Sequence, residues 1–305
     1  MRSGNAAFAD VTIRQILHPW GWRANATCWF RNNPLPGGFF SELSGHALRH
    51  AALLAKCGGA KLVAIYANWF DAPPYFTEGR IEELTKEFRD SQAEAERSLA
   101  AFVKSMLGEQ AAAVEIRVAE GLPADVILAR AADAGAGLIV MGTHGRTGYN
   151  RWMMGSVAER VLRESPVPLL TVRGPSGGTV RRILCPVTDT EVSREALGVA
   201  AELAGCFGAT LTALHVREPH AVAAPPDLCV WMPAEERARC NVREVVRHGD
   251  AAAEIVGLAA EEPFDLLVLG APRRTFFDGL VLGTTTLRAV RHAPCPVQTV
   301  GERVR

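Results

Sequence analysis

The second half of this chain repeats the first. Leu138-Ile139-Val140-Met141-Gly142 matches Leu266-Leu267-Val268-Leu269-Gly270 at an offset of 128 residues. The same offset carries Gly121 onto Gly249, Ile127 onto Ile255, Gly155 onto Gly283 and Ser156 onto Thr284. It also carries Pro166-Val167-Pro168 onto Pro294-Cys295-Pro296 and Thr171-Val172 onto Thr299-Val300. A constant offset over that many positions means two copies of one folding unit. Nearer the start of each copy the offset changes. It is 149 for Ala47-Leu48 against Ala196-Leu197 and for Gly59-Ala60 against Gly208-Ala209, and 167 for Ile16-Leu17-His18-Pro19 against Ile183-Leu184-Cys185-Pro186. These steps give the first copy 18 extra residues between Pro19 and Ser41, and 21 more between about Tyr66 and Gly121. A chain of 305 residues divides into two units of about 150, each large enough to bury its own core. The expected domains are 12–173, with an insertion at 20–38, and 180–301. The linker holds Gly174, Pro175, Ser176, Gly177 and Gly178.

Within each copy, strand-like and helix-like segments alternate. Residues 14–18 and 61–67 are short apolar runs suited to buried parallel strands. Residues 41–57 carry Leu43, Ala47, Leu48, Ala51, Leu54 and Ala55 on one helical face and stop at Gly58-Gly59. Ile81, Leu84, Phe88, Ala95, Leu99, Phe102 and Met106 form the stripe of a second, long helix that covers a sheet. A strand at 113–118, a helix from Pro123, a strand at 137–141, a helix opening near Gly155 and a strand at 169–172 complete the unit. The second copy repeats the series with a shortened second helix at 234–239. Strands alternating with helices predict an α/β fold: two tandem doubly wound domains, each a parallel sheet with helices on both faces.

The charge balance disfavours a diffuse nucleic-acid footprint and leaves a local one open, with neither nucleic acid nor membrane expected as a partner. Lysine plus arginine equals aspartate plus glutamate at 33 each, so no global pull toward nucleic acid or acidic membrane exists. No apolar run approaches the roughly 18–20 residues that cross a bilayer, and residues 1–10 lack the pattern of a secretory signal. The seven cysteines (Cys28, Cys57, Cys185, Cys206, Cys229, Cys240, Cys295) are scattered, with no C-x-x-C spacing. They read as reduced thiols filling core space, with no disulfide frame, no zinc site and a cytoplasmic location expected. Among eight histidines, His46 and His50 alone stand at i, i+4, and no third ligand type accompanies them, so no metal site is expected.

The chemistry lies after the strand at 138–141. There the chain runs Gly142-Thr143-His144-Gly145-Arg146, and Gly155-Ser156-Val157 opens a helix, a G-x2-G-x9-G-S spacing. Glycines let backbone approach a polyphosphate and adopt positive φ so that N–H groups converge. Gly155 and Ser156 would place amides and a hydroxyl at a helix N-terminus, where the helix dipole favours an anion. Arg146 and Arg151 would add charge-assisted bonds. The competing reading makes Gly142 a strand-ending turn and Ser156 an N-cap.

This motif resembles the ATP-binding loop of the universal stress proteins, and its surroundings, LIVMGTHGRTGYNRWMMGSVAERVLRESPVPLLTVR, are similar to that family almost throughout. The resemblance extends over both copies. It implies a five-stranded parallel sheet per domain, ATP in a cleft at the C-terminal ends of the strands, and pairing of domains through the last strand, within the chain or in a homodimer. Carried across, it places nucleotide on Gly142, Thr143, His144, Gly145, Arg146, Gly155, Ser156 and Val157, with Pro19 and Ala67 toward the adenosine. The family's aspartate after the first-strand proline is missing here: Trp20-Gly21 follow Pro19, and counting back from the helix puts Phe39 in that slot. In the second copy the corresponding residues are Pro186, Asp189, Val216, Gly270, Gly283 and Thr284. There Arg273 replaces the second loop glycine and Pro272 precedes it, with Arg274 adjacent.

Three functions compete. The first is an ATP-binding stress-response or regulatory protein, with nucleotide held by the first copy and Mg²⁺ carried on the phosphates. No residue of the loop is an evident base for water, so hydrolysis would be slow at most and no catalytic residue is assigned. The second is a nucleotide-free scaffold that binds a protein partner through its paired domains and the segment 20–38, which holds Trp20, Trp22 and Trp29, half of the chain's six tryptophans. That segment would serve as a lid, a base-stacking surface or a partner patch, or simply fold over its own domain. The third, an adenylating enzyme on the same fold, lacks a P-loop, a Rossmann glycine fingerprint and a pyrophosphatase loop.

Overall fold

The computed structural model describes residues 25–30, 40–68, 78–143, 154–174, 178–218, 231–232, 234–276 and 279–301, with backbone alone at 25–30, 78–89, 234–236, 273–276 and 279–282. The first copy runs β1 (Asn25–Phe30), α1 (Glu42–Gly58), β2 (Lys61–Asn68), α2 (Glu78–Leu107), β3 (Val114–Glu120), α3 (Pro123–Asp133), β4 (Leu138–Gly142), α4 (Ser156–Glu164) and β5 (Leu169–Val172). The second runs β6 (Arg182–Pro186), α5 (Glu191–Phe207), β7 (Thr210–Arg217), α6 (Ala234–Arg239), β8 (Asn241–His248), α7 (Ala251–Glu261) and β9 (Leu266–Ala271). It ends with β10 (Arg273–Phe276), β11 (Gly279–Leu282), α8 (Thr284–His292) and β12 (Val297–Gly301).

Ten strands form one sheet in the order β3-β2-β1-β4-β5-β12-β9-β6-β7-β8. Within each copy all five strands are parallel, and the two sets meet through an antiparallel pairing of β5 with β12. Side chains alternate between two buried faces. Leu138, Val140, Leu170 and Val172 join a core under α1, α2 and α5, whereas Ile139, Met141 and Leu169 join a second core with α3, α4, α7 and α8. Burial on both faces explains why the inner strands β2, β4, β5 and β9 read as nearly unbroken apolar runs. Both cores cross from one copy to the other, since the first holds Ala47 with Ala196 and the second Ile127 with Ile255.

Helix ends follow local chemistry. Ser41 caps α1 by accepting the Ser44 amide at 3.2 Å, Thr190 caps α5 from the Ser193 amide at 3.3 Å, and Asp250 caps α7 from the Ala253 amide at 2.8 Å. The C-termini of α1 and α5 are closed by Gly59 at φ 62° and Gly208 at φ 63°, left-handed conformations that glycine adopts without a Cβ penalty.

One element departs from the sequence expectation. The first strand, expected at 14–18, falls outside the described residues, and its place between β2 and β4 is taken by Asn25–Phe30, inside the segment read as an insertion. Ala26 pairs with Leu62 and Leu138 as Ile183 pairs with Leu211 and Leu266, which makes Cys28 the counterpart of Cys185 and Trp29 that of Pro186. Pro19, expected to match Pro186, lies outside the described residues. A second correction concerns the thiols: Cys57 and Cys206 are joined in a disulfide with Cα atoms 6.0 Å apart. Cys185 and Cys295 do fill core, and burial pushes the Cys295 thiol up to about 12 and Cys185 higher still. The cysteine pattern consequently stops arguing for a reducing compartment.

Candidate functional site

The site of the first copy starts where β4 ends. Thr143 is buried; its amide donates to the Val172 carbonyl at 3.1 Å, tying the strand end to β5. The Thr143 carbonyl in turn accepts the Gly155 amide at 2.9 Å. Residues 144–153 lie outside the described residues, among them His144, Gly145, Arg146 and Arg151. The single bond from Gly155 to Thr143 draws the two ends of that loop together and seats the N-terminus of α4 beside the end of β4.

Packing is close around the glycine at each end. A Cβ on Gly155 would sit 3.2 Å from the Thr143 carbonyl, and one on Gly142 would sit 3.2 Å from the Leu43 Cβ on the first turn of α1. Neither residue has the positive φ that the sequence suggested; Gly155 is extended at φ −66°, ψ 145°. The Gly155 amide is also not available to an anion, because Thr143 takes it. The amides that remain at this helix end are those of Ser156, Val157 and Ala158, which precede the first intrahelical bond, Glu159 to Gly155, and no side chain caps the turn. These point along the helix dipole, in the direction that favours an anion.

Two strands away, Ala67 is buried near the end of β2 and pairs with Ala119. Next to it is Asn68, which the sequence reading passed over. Its carbonyl accepts the Gly121 amide at 3.2 Å, its side chain is 9% exposed, and its Nδ2 meets no hydrogen-bond partner. A polar residue interrupting an apolar strand at its C-terminal end was the available signal. Strands in a sheet lie about 4.8 Å apart, so β2 and β4 ends are roughly 10 Å from each other across β1.

The second copy builds the same corner and closes it differently. A Cβ on Gly270 would be 2.9 Å from the Val192 carbonyl, so α5 presses on the end of β9 still more tightly than α1 presses on β4. Gly283 is extended at φ −58°, and α8 opens at Thr284 without a side-chain cap, while Thr286 Oγ1 donates to the Gly270 carbonyl at 3.3 Å. Between them, where the first copy has its ten-residue loop, the chain pairs with itself: Arg273 to Phe276 runs antiparallel to Gly279 to Leu282. Such a hairpin spends its inward N–H groups on its own ladder. The dipeptide Asp278-Gly279 within an apolar, β-prone stretch was a hairpin signal.

At the ends of β6 and β7 in this copy, the Val187 amide donates to the Leu214 carbonyl at 2.8 Å, and His215 Nδ1 lies 3.1 Å from the Val187 carbonyl. Asp189 is 70% exposed and accepts Arg194 Nη2 at 3.2 Å, and the same guanidinium lies over the Trp231 ring at 4.7 Å. Pro186 ends β6, and half-buried Val216 pairs with Arg247 in β8.

The two corners touch across the seam. Strand β11 of the second copy packs against α4 of the first. Arg291 on α8 donates to Glu159 in the first turn of α4 at 3.2 Å, and Arg163 reaches the same carboxylate at 2.8 Å. Among the described residues no group of three His, Cys, Asp or Glu is placed to hold a metal ion, and no helix is long and apolar enough to cross a membrane.

A model of the universal stress protein family matches residues 38–173 and matches again at 179–301. The chain belongs to the universal stress protein family. Curated relatives agree. A universal stress protein of Methanocaldococcus jannaschii is 36% identical over 138 residues, 44% of this chain and 78% of the relative. Another, from Thermus aquaticus, is 35% identical over 133 residues, 43% of this chain and 92% of the relative. Each relative thus corresponds to about one copy. At the level of the whole fold, the crystal structure of a universal stress protein from Archaeoglobus fulgidus aligns with a TM-score of 0.65 at 19% identity, covering 92% of this chain and all of the other. This universal stress protein is therefore a tandem member, with two family units in one ten-stranded sheet.

Proposed function

We propose that the first copy binds an adenine nucleotide, ATP by preference, and that this universal stress protein acts as a nucleotide-dependent regulator in a stress response. The observation that carries the reading is the corner at Thr143 and Gly155, where one hydrogen bond of 2.9 Å closes a glycine-containing loop against an uncapped helix N-terminus. In this reading Ser156 and Val157 supply amides, Ser156 adds a hydroxyl, and Gly145, His144 and Arg146 on the loop complete the phosphate subsite. Gly142, Thr143 and Gly155 hold the corner in shape instead of touching phosphate. Ala67 and Asn68 line the base end, roughly one nucleotide length away. Mg²⁺ would ride on the phosphates. The second copy, whose loop is a hairpin, takes no nucleotide in this way, and the β5–β12 seam gives one chain the pairing that a homodimer would provide.

The test is nucleotide released by heat denaturation of the purified protein and identified by mass, followed by titration with ATP. Ser156→Ala is expected to weaken binding several-fold and Gly155→Val at least tenfold, a loss of about 1.4 kcal/mol or more, while Gly283→Val leaves it unchanged. Equal losses from both copies would overturn the assignment to the first. A nucleotide-free scaffold is the second reading. It is favoured by the packing role of Gly142 and Gly270, which explains those glycines without any ligand; absence of bound or titratable nucleotide in wild type would select it.

A further inference from the structure

Helices α1 and α5 end alike and end together. Cys57 and Cys206 are 149 residues apart, the interval that also relates Ala47 to Ala196 and Gly59 to Gly208. Each cysteine therefore occupies the same position of the duplicated unit, two residues before the left-handed glycine that closes its helix. The duplication brings the two positions face to face, one from each copy, with 6.0 Å between Cα atoms and a bond between the sulfurs. Cys57 is half-buried and Cys206 exposed, so small molecules can reach the pair. Cys185 and Cys295, sealed in the core, have no such access.

We propose that Cys57 and Cys206 form a thiol–disulfide exchange site, which takes low-molecular-weight disulfides and thiols of the glutathione class as co-reactants and reversibly ties the first copy to the second. In the oxidising direction the exposed Cys206 thiolate attacks one sulfur of the small disulfide. That S–S bond breaks, one thiolate leaves and takes up a proton, and a mixed disulfide remains on Cys206. The Cys57 thiolate then attacks the Cys206 sulfur and expels the second small thiol. Two protein thiols have lost two electrons and two protons, and one small disulfide has become two thiols. Excess small thiol, or a dithiol, reverses both steps. Reduction leaves the β5–β12 seam and the shared cores in place and releases the C-terminal turns of α1 and α5 from each other.

The full chain is equilibrated at a series of reduced-to-oxidised glutathione ratios, quenched in acid, alkylated and digested with trypsin. Peptides 57–61 and 195–217 should be recovered joined at oxidising ratios and separately alkylated at reducing ratios, with a two-electron transition between. Reduction should also speed amide exchange in the last turns of α1 and α5 roughly tenfold. Cys57→Ser should abolish the joined peptide and show the fast exchange at every ratio. The proposal is overturned if the joined peptide forms at no ratio, if Cys206 pairs with Cys240 instead, or if the bond yields to thiol only when the protein unfolds. Should Cys57→Ser fail to fold, the wild-type titration decides alone.

Discussion

Gln298 sits at the centre of the seam, opposite Leu170, fully buried, with neither its Oε1 nor its Nε2 hydrogen-bonded. A buried amide without partners forfeits the bonds it made to water, a cost of about 1–3 kcal/mol. Gln298→Leu, which keeps the volume and copies the facing residue, is expected to raise stability by about that amount, measured as a higher midpoint in urea. The glycines make an opposite prediction. Gly270→Ala drives a methyl against the Val192 carbonyl and should cost about 1–3 kcal/mol, whereas at Gly283 the nearest atoms are 3.9 and 4.0 Å away and alanine should be nearly neutral. A third residue governs response to acid. Burial holds the His50 imidazole below its ordinary value, with neighbouring His46 adding to this while the His46 carbonyl and Asp265 work against it. The folded state thus binds fewer protons than the unfolded one. Stability from the neutral ring is complete above the unfolded value of about 6.5 and is lost as pH falls from there toward the depressed folded value. His50→Gln should flatten the fall in melting temperature between roughly pH 7 and 5.

Among the elements, the strands and helices that the pattern announces best are those with buried faces on both sides. Strands β2, β4 and β5 lie within a residue or so of where their apolar runs place them, and α1 and α5 start at a hydroxyl cap and stop at a glycine. The first strand escaped because the repeat pointed elsewhere: Ile16-Leu17-His18-Pro19 matches Ile183-Leu184-Cys185-Pro186, although Asn25–Phe30, with Ala26, Cys28, Trp29 and Phe30, is the more apolar segment. What selects 25–30 is pairing with β2 and β4, a long-range term invisible in a local window. The candidate site was legible as a spacing of glycines, yet the packing of two of those glycines was not, since it lies in contacts to Leu43 and to a carbonyl twelve residues back. The hairpin in the second copy stayed hidden behind the comparison with the first, although Asp278-Gly279 is a turn signal in the sequence; the observed register, Phe276 opposite Gly279, lies one residue earlier than that dipeptide would set it. At the seam, symmetry is nearly complete: Thr171 Oγ1 donates to the Val297 carbonyl and Thr299 Oγ1 to the Leu169 carbonyl, both at 3.2 Å. Thr171→Val and Thr299→Val should therefore cost about the same, near 1 kcal/mol each, in matched denaturant melts.

For the whole molecule, two cores that each run through both copies predict one unfolding event, not two. Calorimetry of the intact chain should give a single transition whose van't Hoff and calorimetric enthalpies agree, and two resolved transitions would contradict the continuity of the cores. With the cysteine bridge intact, that transition should lie higher than in Cys206→Ser by about 2–4 kcal/mol in the thiol-free state. The antiparallel junction of β5 with β12 has one further result. In an assembly of identical chains, any substitution changes both sites at once, so a loop cannot be remodelled without losing it everywhere. Fusing the partners head to tail lifts that restriction: the near-symmetric join stays fixed, while the segments after the fourth strand of each copy are free to specialise, as the second copy does in folding its own into a brace against its neighbour's helix.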